Sequence, residues 1–394
     1  MAATFRDVPR TVWALGFVSL FMDLSSEMIH ALLPIFLVST LGASPALLGL
    51  IEGIAEGATS ITKVFSGWLS DRLGTRKWLA VLGYGMAALT KPVFPFAVTP
   101  FEVLAARLAD RIGKGLRGAP RDALVSDITP AAVRGAAFGI RQSLDTVGAV
   151  GGPLAAIALF ALLGDIRKVF AWAVIPAIVC VVLLVFGVEE PKRGPHAKAK
   201  SPIRLSEVRG MGAAFWAVMA VGMIMTMARF SEAFLILRAT NVGLGTAMAP
   251  LVMVAMNLVY ALVAAPAGDL SDRVPRWLLL IAGLVVLIGA DALIAAVPTP
   301  IGILGGAALW GAHMGLSQGL FSALIADTAP ERLRGTAFGV FNLATGVVLL
   351  AASGLAGELW DRVGPSATFL AGGGFAALAM LGVLALQGRF TPAR

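Results

Sequence analysis

Runs of about twenty mostly apolar residues recur along the whole chain, broken by short clusters of glycine, proline and charge. A helix needs roughly 20 such residues to cross the hydrocarbon of a bilayer. In round limits the runs fall at 12–39, 46–69, 78–98, 101–124, 136–162, 169–187, 213–237, 246–266, 277–297, 301–325, 335–357 and 366–386. They predict twelve spanning helices. The first run is too long for the core of a cleavable signal and carries Asp23 and Glu27 where a small-residue cleavage site would fall, so it is expected to remain as the first span.

The polar segments between the runs set the orientation. Alternate loops hold Arg72, Arg76 and Lys77, then Arg121 and Arg134, then a group from Lys192 to Arg209, then Arg273, Arg276, Arg332 and Arg334; the opposite loops hold little beyond Arg167, Lys168, Arg238 and Arg362. Lys and Arg collect in cytoplasmic loops, so the first set and both termini are expected in the cytoplasm, with the bacterial inner membrane as the setting. The longest polar stretch, 189–210, divides the spans six and six and reads as a cytoplasmic linker. It separates an N-terminal half, 1–188, from a C-terminal half, 211–394.

Composition narrows the choices further. With 58% hydrophobic and 14% charged residues the chain has no polar surface fit for water. The net charge of +8 is scattered over loops, which does not make the basic face of a nucleic-acid reader. A single cysteine, Cys180, excludes a disulfide framework and a cysteine zinc site. No P-loop, zinc-protease motif or other catalytic set is present, so neither an enzyme, a cofactor nor a bound metal is expected.

The chain repeats itself. Ala123 to Gly139, including Asp127, Pro130, Arg134 and Phe138, aligns without a gap on Ala323 to Gly339 at an offset of 200 residues. Gly67-Trp-Leu-Ser-Asp71-Arg72 aligns on Gly268-Asp-Leu-Ser-Asp272-Arg273 at 201. Both pairs sit in loops of one side, which makes the halves parallel repeats, with a site expected between them near the midplane. The run Gly67, Asp71, Arg72, Leu73, Gly74, Thr75, Arg76, Lys77 resembles the loop signature of the major facilitator superfamily, with Pro275 in place of the later glycine in its second copy. The resemblance implies an all-α membrane fold of twelve helices in two pseudo-symmetric halves. It also implies a cytoplasmic gate in which Gly67 allows close packing and Asp71 accepts backbone N–H groups and pairs with arginine.

Ionisable residues inside spans cost roughly 2.5–3.5 kcal/mol each on insertion scales, so they face a wet cavity or a partner. Asp23, Glu27 and His30 share one face of helix 1, and Arg107, Asp110, Arg111, Lys114 and Arg117 one face of helix 4. Two opposed stripes, acidic and basic, are the simplest arrangement that pairs them. Glu52, Glu56, Lys63, Lys91, Arg141 and Asp145 add to the first half; the second contributes only Arg229, Glu232, Asp291 and His313. Asp23 and Glu27 are the candidates for proton loading, and Arg107, Asp110, Arg111 and Lys114 for coupling or for holding an anionic group. Arg111-Ile-Gly-Lys114-Gly115 resembles the helix-4 arginine signature of proton-coupled family members.

Gly139, Gly148, Gly152 and Pro153 are similar to the helix-5 pattern of drug-exporting antiporters in that family, which implies a bend on the face between halves. Met219, Met223 and Met227 stand at four-residue spacing on helix 7 and read as core or adaptable cavity lining, with soft Cu(I) binding as the sharper alternative. Together these point to a monomeric, proton-coupled antiporter that exports a small amphipathic or anionic compound. Symport of an organic anion or metal chelate, copper included, and a transport-dead sensor are the competing readings.

Overall fold

The computed structural model describes residues 8–130, 133–190, 208, 210–271, 273–330 and 333–390. The predicted linker 189–210 therefore lies outside the described residues except for its first two and residues 208 and 210, as does Asp272. Twelve helical rods run through the described residues: α1 (Arg10–Thr40), α2 (Pro45–Leu73), α3 (Lys77–Phe96), α4 (Pro100–Ile128), α5 (Arg134–Leu163) and α6 (Ile166–Gly187), then α7 (Ala213–Asn241), α8 (Leu251–Ser271), α9 (Arg276–Ala296), α10 (Pro300–Thr328), α11 (Arg334–Arg362) and α12 (Pro365–Phe390).

Among the described residues nine of these are long and apolar enough to cross a bilayer by composition alone; α2, α4 and α10 are not. The fourth rod carries charge on nearly every turn, so its partners must hold it in the membrane. Its start is fixed locally. The Thr99 hydroxyl accepts the Glu102 N–H at 3.3 Å while Glu102 accepts the Val98 and Thr99 N–H groups at 2.7 and 3.2 Å, with Pro100 in the first turn. Two hundred residues later α10 starts the same way, with the Gly302 N–H on the Thr299 hydroxyl at 3.1 Å and Pro300 beside it.

Several rods are interrupted. In α1 the regular helix stops at His30 and the rod resumes after a turn, closing on a π-helical turn at Phe36–Thr40. Pro92 follows a break at Lys91 in α3, and Ala173 interrupts α6. The break in α7 is longer: helix ends at Ala228 and restarts at Ala233. No glycine or proline marks it. Serine hydroxyls take over the backbone there, Ser353 accepting the Ser231 N–H at 3.1 Å and Ser231 accepting the Ala233 N–H at 3.2 Å.

The chain forms two compact units: Met1–Leu33 with Ala58–Ser201, and Pro34–Gly57 with Pro202–Arg394. In the first, α1 packs on α5 and α6, and α3 on α4 and α6; in the second the corresponding pairs α7 with α11 and α12, and α9 with α10 and α12, recur. The core of the first unit includes Val12, Leu15, Met22, Ala80, Ala87 and Leu184, with Cys180 as a buried small hydrophobe. In the second, the start of α2 lies backbone to backbone on α11. A Cβ on Gly53 would stand 2.9 Å from the Leu350 Cα, and one on Gly57 would stand 2.9 Å from the Gly346 oxygen.

Candidate transport site

The polar centre of the first unit has two clusters along α4. Near the start of α4, the Lys91 ammonium lies 2.8 Å from Asp110 and 2.9 Å from the Ser26 hydroxyl, and Arg107 approaches the other Asp110 oxygen at 4.0 Å. Lys91, Arg107, Asp110 and Arg111 are all buried. The break in α3 positions the lysine, since Pro92 ends the regular helix just beyond it.

The second cluster lies further along α4. Arg117 stands 3.8 Å from Asp23 and stacks over the Tyr84 ring at 4.3 Å from its centroid. One turn on, Arg121 donates to the Ser19 hydroxyl at 2.9 Å and stands 3.7 Å from Asp145 and 3.1 Å from Asp122. Arg141 closes the network, 2.7 Å from Asp145 and 3.7 Å from Asp122. Asp23 retains 26% exposure, Asp122 retains 45%, and Lys114 is exposed on α4, so this cluster is open on one side. An open, charge-rich centre can hold a polar ligand without stripping every charge of contact.

The two expected stripes are not paired residue for residue. Asp23 does meet α4, but through Arg117; Glu27 instead lies 3.5 Å from His30 on its own helix. Asp110 turns to Lys91 of α3. Arg111 offers its backbone oxygen to the Thr59 hydroxyl at 3.1 Å. Arg121, counted with the loops from sequence, belongs to the site because α4 runs on to Ile128. Tyr84, Ser19 and Ser26 were missed: single polar residues in apolar runs carry no periodic signal.

The helix-5 glycines have a nearer task than a bend. A Cβ on Gly148 would stand 2.6 Å from the Leu20 oxygen and 3.0 Å from the Asp23 Cβ, and one on Gly152 would stand 2.5 Å from the Glu27 Cβ. They let α5 close on the acidic face of α1, and α5 runs as one 30-residue helix through Pro153.

The loop between α2 and α3 makes a second polar structure. Gly74 turns it with φ +69°, a left-handed conformation that favours glycine. Arg76 bridges Asp127 at 2.8 Å and Asp71 at 3.6 Å. Burial pulls the Arg76 guanidinium below its ordinary value, while Asp71 and Glu190 oppose the shift. The backbone N–H groups of this turn are capped by Glu190 rather than by Asp71: Glu190 accepts the Thr75 hydroxyl at 3.0 Å and the Arg76 and Lys77 N–H groups at 2.5 and 3.3 Å. Two expected members stand apart. Arg72 lies over the Trp68 ring, and a Cβ on Gly67 would meet only Ala119, at an ordinary 3.5 Å. In the second unit Arg276 pairs with Asp327, the same positions plus 200, and Arg273 is exposed.

The second unit has fewer charges and more rings. Met219 and Met225 are buried and Met223 and Met227 half-buried on α7, where Phe321 and Phe341 stack at 6.3 Å. Asp291 of α9 is fully buried and accepts the Trp310 indole N–H at 2.9 Å. These are positions 91 and 110 plus 200, so one contact recurs with its chemistry exchanged: lysine to aspartate in one unit, tryptophan to aspartate in the other.

Twelve rods in two repeated six-helix sets, with a charged centre that lipid does not tolerate, define a polytopic helical membrane transporter. Comparison with known proteins makes this specific. The sequence profile of the Major Facilitator Superfamily matches residues 15–350 and again 218–393, and the chain belongs to that family. An uncharacterized MFS-type transporter of Methanocaldococcus jannaschii is 30% identical over 374 residues, covering 93% of this chain and 92% of the relative. An uncharacterized protein of Mycobacterium tuberculosis is 27% identical over 360 residues, covering 89% of this chain and 87% of its own. Solved structures with the same fold include the nucleoside transporter NupG, at TM-score 0.79 and 14% identity over 97% of this chain and all of that one. A bacterial homolog of the human lysosomal transporter Spinster, inward-facing and occupied, superposes at TM-score 0.77 and 16% identity over 99% of this chain and all of that one.

Proposed function

We propose that this multi-pass membrane transporter is a proton-coupled antiporter of the inner membrane that exports a small amphipathic compound. The observation that carries the reading is the open cluster on α4, where the accessible Asp23 lies 3.8 Å from Arg117 with Lys114 exposed beside it. A carboxylate that pairs with a cation in one protonation state and releases it in the other links proton binding to the freedom of that cation. Antiport requires proton and compound to exclude one another here: ionised Asp23, beside Arg117, accepts a hydrogen-bond donor of the compound, and a proton on Asp23 removes that acceptor and releases the compound.

Within the second unit, Met223 and Met227 of α7 and the stacked Phe321 and Phe341 form an adaptable apolar surface. Methionine adapts to varied shapes, which suits an exporter of several related compounds. The positive bias of the Arg76, Arg134, Arg276 and Arg334 loops supports a cytoplasmic placement of that face and of both termini. Small-molecule substrate, protons and lipid are the partners; the chain acts as a monomer.

Everted membrane vesicles energised by respiration test this directly. A panel of amphipathic compounds with amide or hydroxyl donors is added while an acridine dye reports the interior acid. A transported compound is expected to draw protons out and restore fluorescence with the wild-type chain, and to fail to do so with Asp23→Asn or Arg117→Ala. Compound accumulation driven by protons moving in the same direction would replace antiport by symport.

A further inference from the structure

Asp291 is a buried acid in the membrane that the transport centre does not use. Its side chain is fully buried, Oδ1 accepts the Trp310 indole, and Oδ2 has no hydrogen-bond partner. A buried carboxylate with a bare oxygen is costly, and the usual escape is neutralisation. The first unit neutralises the acid of the equivalent contact with lysine: Lys91 sits on Asp110. At position 310 the second unit has an indole, which donates one hydrogen bond and brings no charge.

The surroundings define what can bind at Oδ2. Gly372 of α12 faces it: a Cβ there would lie 2.8 Å from Oδ2, 2.9 Å from the Phe230 ring and 3.4 Å from the Ala228 oxygen. Ala228 is the last residue before the break in α7, so its carbonyl belongs to the unsatisfied end of a helix. A hard metal cation takes about six oxygen ligands. A proton needs only one.

The charged and titratable groups on the packed elements are elsewhere engaged or lie apart. Arg238 donates to Asn241 at 2.7 Å and to Ser366 at 3.3 Å, and the His313 Nδ1 is 2.8 Å from the Gly283 oxygen. Arg229 and Glu232 lie in the α7 break and Tyr260 on α8, and α12 has no charged residue from Pro365 to Gln387. Among the described residues none forms an ion pair with Asp291.

We propose that Asp291 is a proton-binding site in the second unit, holding its proton on Oδ2 against the broken turn of α7 and the bare backbone of Gly372. It rests on the transporter reading and adds a carboxyl distinct from Asp23.

Infrared titration of the purified full-length protein in lipid nanodiscs tests it. A carbonyl band of a protonated carboxyl is expected at neutral pH, absent from Asp291→Asn and lost as alkali is added. Trp310→Phe, which removes the donor that favours the anion, is expected to move the midpoint up by about one pH unit. That variant serves alone should Asp291→Asn not elute as a folded monodisperse species. Absence of an Asp291-dependent band from about pH 5 to pH 10, or its loss when sodium replaces N-methylglucamine at constant pH, would overturn the proposal. Absence of that band together with vesicle transport that still depends on Asp23 would leave antiport standing and remove only this site.

Discussion

Removing either end of the Lys91–Asp110 pair is expected to destabilise the protein by unequal amounts. The ammonium and carboxylate lie 2.8 Å apart with 2% and 5% side-chain exposure, and Arg107 stands 4.0 Å from the same carboxylate. Breaking a buried pair costs about 3–5 kcal/mol because the survivor is a desolvated charge. Lys91→Met leaves Asp110 with Arg107 close by, so its cost belongs at the lower end, about 3 kcal/mol. Asp110→Leu deprives two cations of their shared acid and belongs at the upper end, about 5 kcal/mol. In the double variant one cation and its acid leave together, so the total should fall short of the sum by about 1–3 kcal/mol. Asp291→Asn, which strands no cation and keeps an acceptor for Trp310, should cost at most about 1–2 kcal/mol. Reversible unfolding in mixed micelles, followed by near-UV circular dichroism, measures all four. Additivity of the two single changes to within about 0.5 kcal/mol would refute the pairing, and Lys91→Met more damaging than Asp110→Leu would refute the role given to Arg107.

Three further outcomes follow from the packing. Glu190→Ala should loosen the start of α3 by about 1 kcal/mol, as loss of a helix cap does, and raise amide exchange at residues 76–78 above that of the matching turn at 276–278. Gly152→Leu should cost about 1–3 kcal/mol by forcing α5 off α1, whereas Gly139→Ala, with nothing within 4 Å, should leave thermal stability unchanged or slightly higher. Ser353→Ala should narrow the stability gap between broken and continuous α7 by about 1 kcal/mol, because the Ser231 N–H then has no acceptor; spin labels flanking the break would report a shorter, more regular separation.

How far the sequence discloses this protein depends on which physical signal each feature leaves. Spans leave a strong one: twenty apolar residues are a solubility statement, and every predicted run meets its rod to within five residues at either end. The eighth was set five residues early, at 246, because Thr246 to Pro250 is apolar yet turns, and the helix begins at Leu251. The repeat also survives folding down to single contacts, from the Arg76–Asp127 and Arg276–Asp327 pairs to the twin threonine caps at 99 and 299. Partners leave a weaker signal. Helical spacing puts Glu27 and Arg111 on sound faces, but which charge meets which is decided by the rotation of each rod about its axis, and glycines set that by admitting a neighbour closely at one angle.

The least legible feature is the break in α7, and its cause explains why. A helix interrupted by proline is visible in the sequence because the residue itself cannot continue. Residues 229–232 could all continue; their helix is abandoned because Ser353, 122 residues away, and Ser231 offer the backbone an alternative set of bonds. Such a break is conditional: it holds only while α11 presents that hydroxyl. A proline kink would persist in every state of a transport cycle, whereas this one can heal. The carbonyl of Ala228, at the end of that helix, and the Asp291 carboxyl both border Gly372, so any change at the break would be felt beside the buried acid.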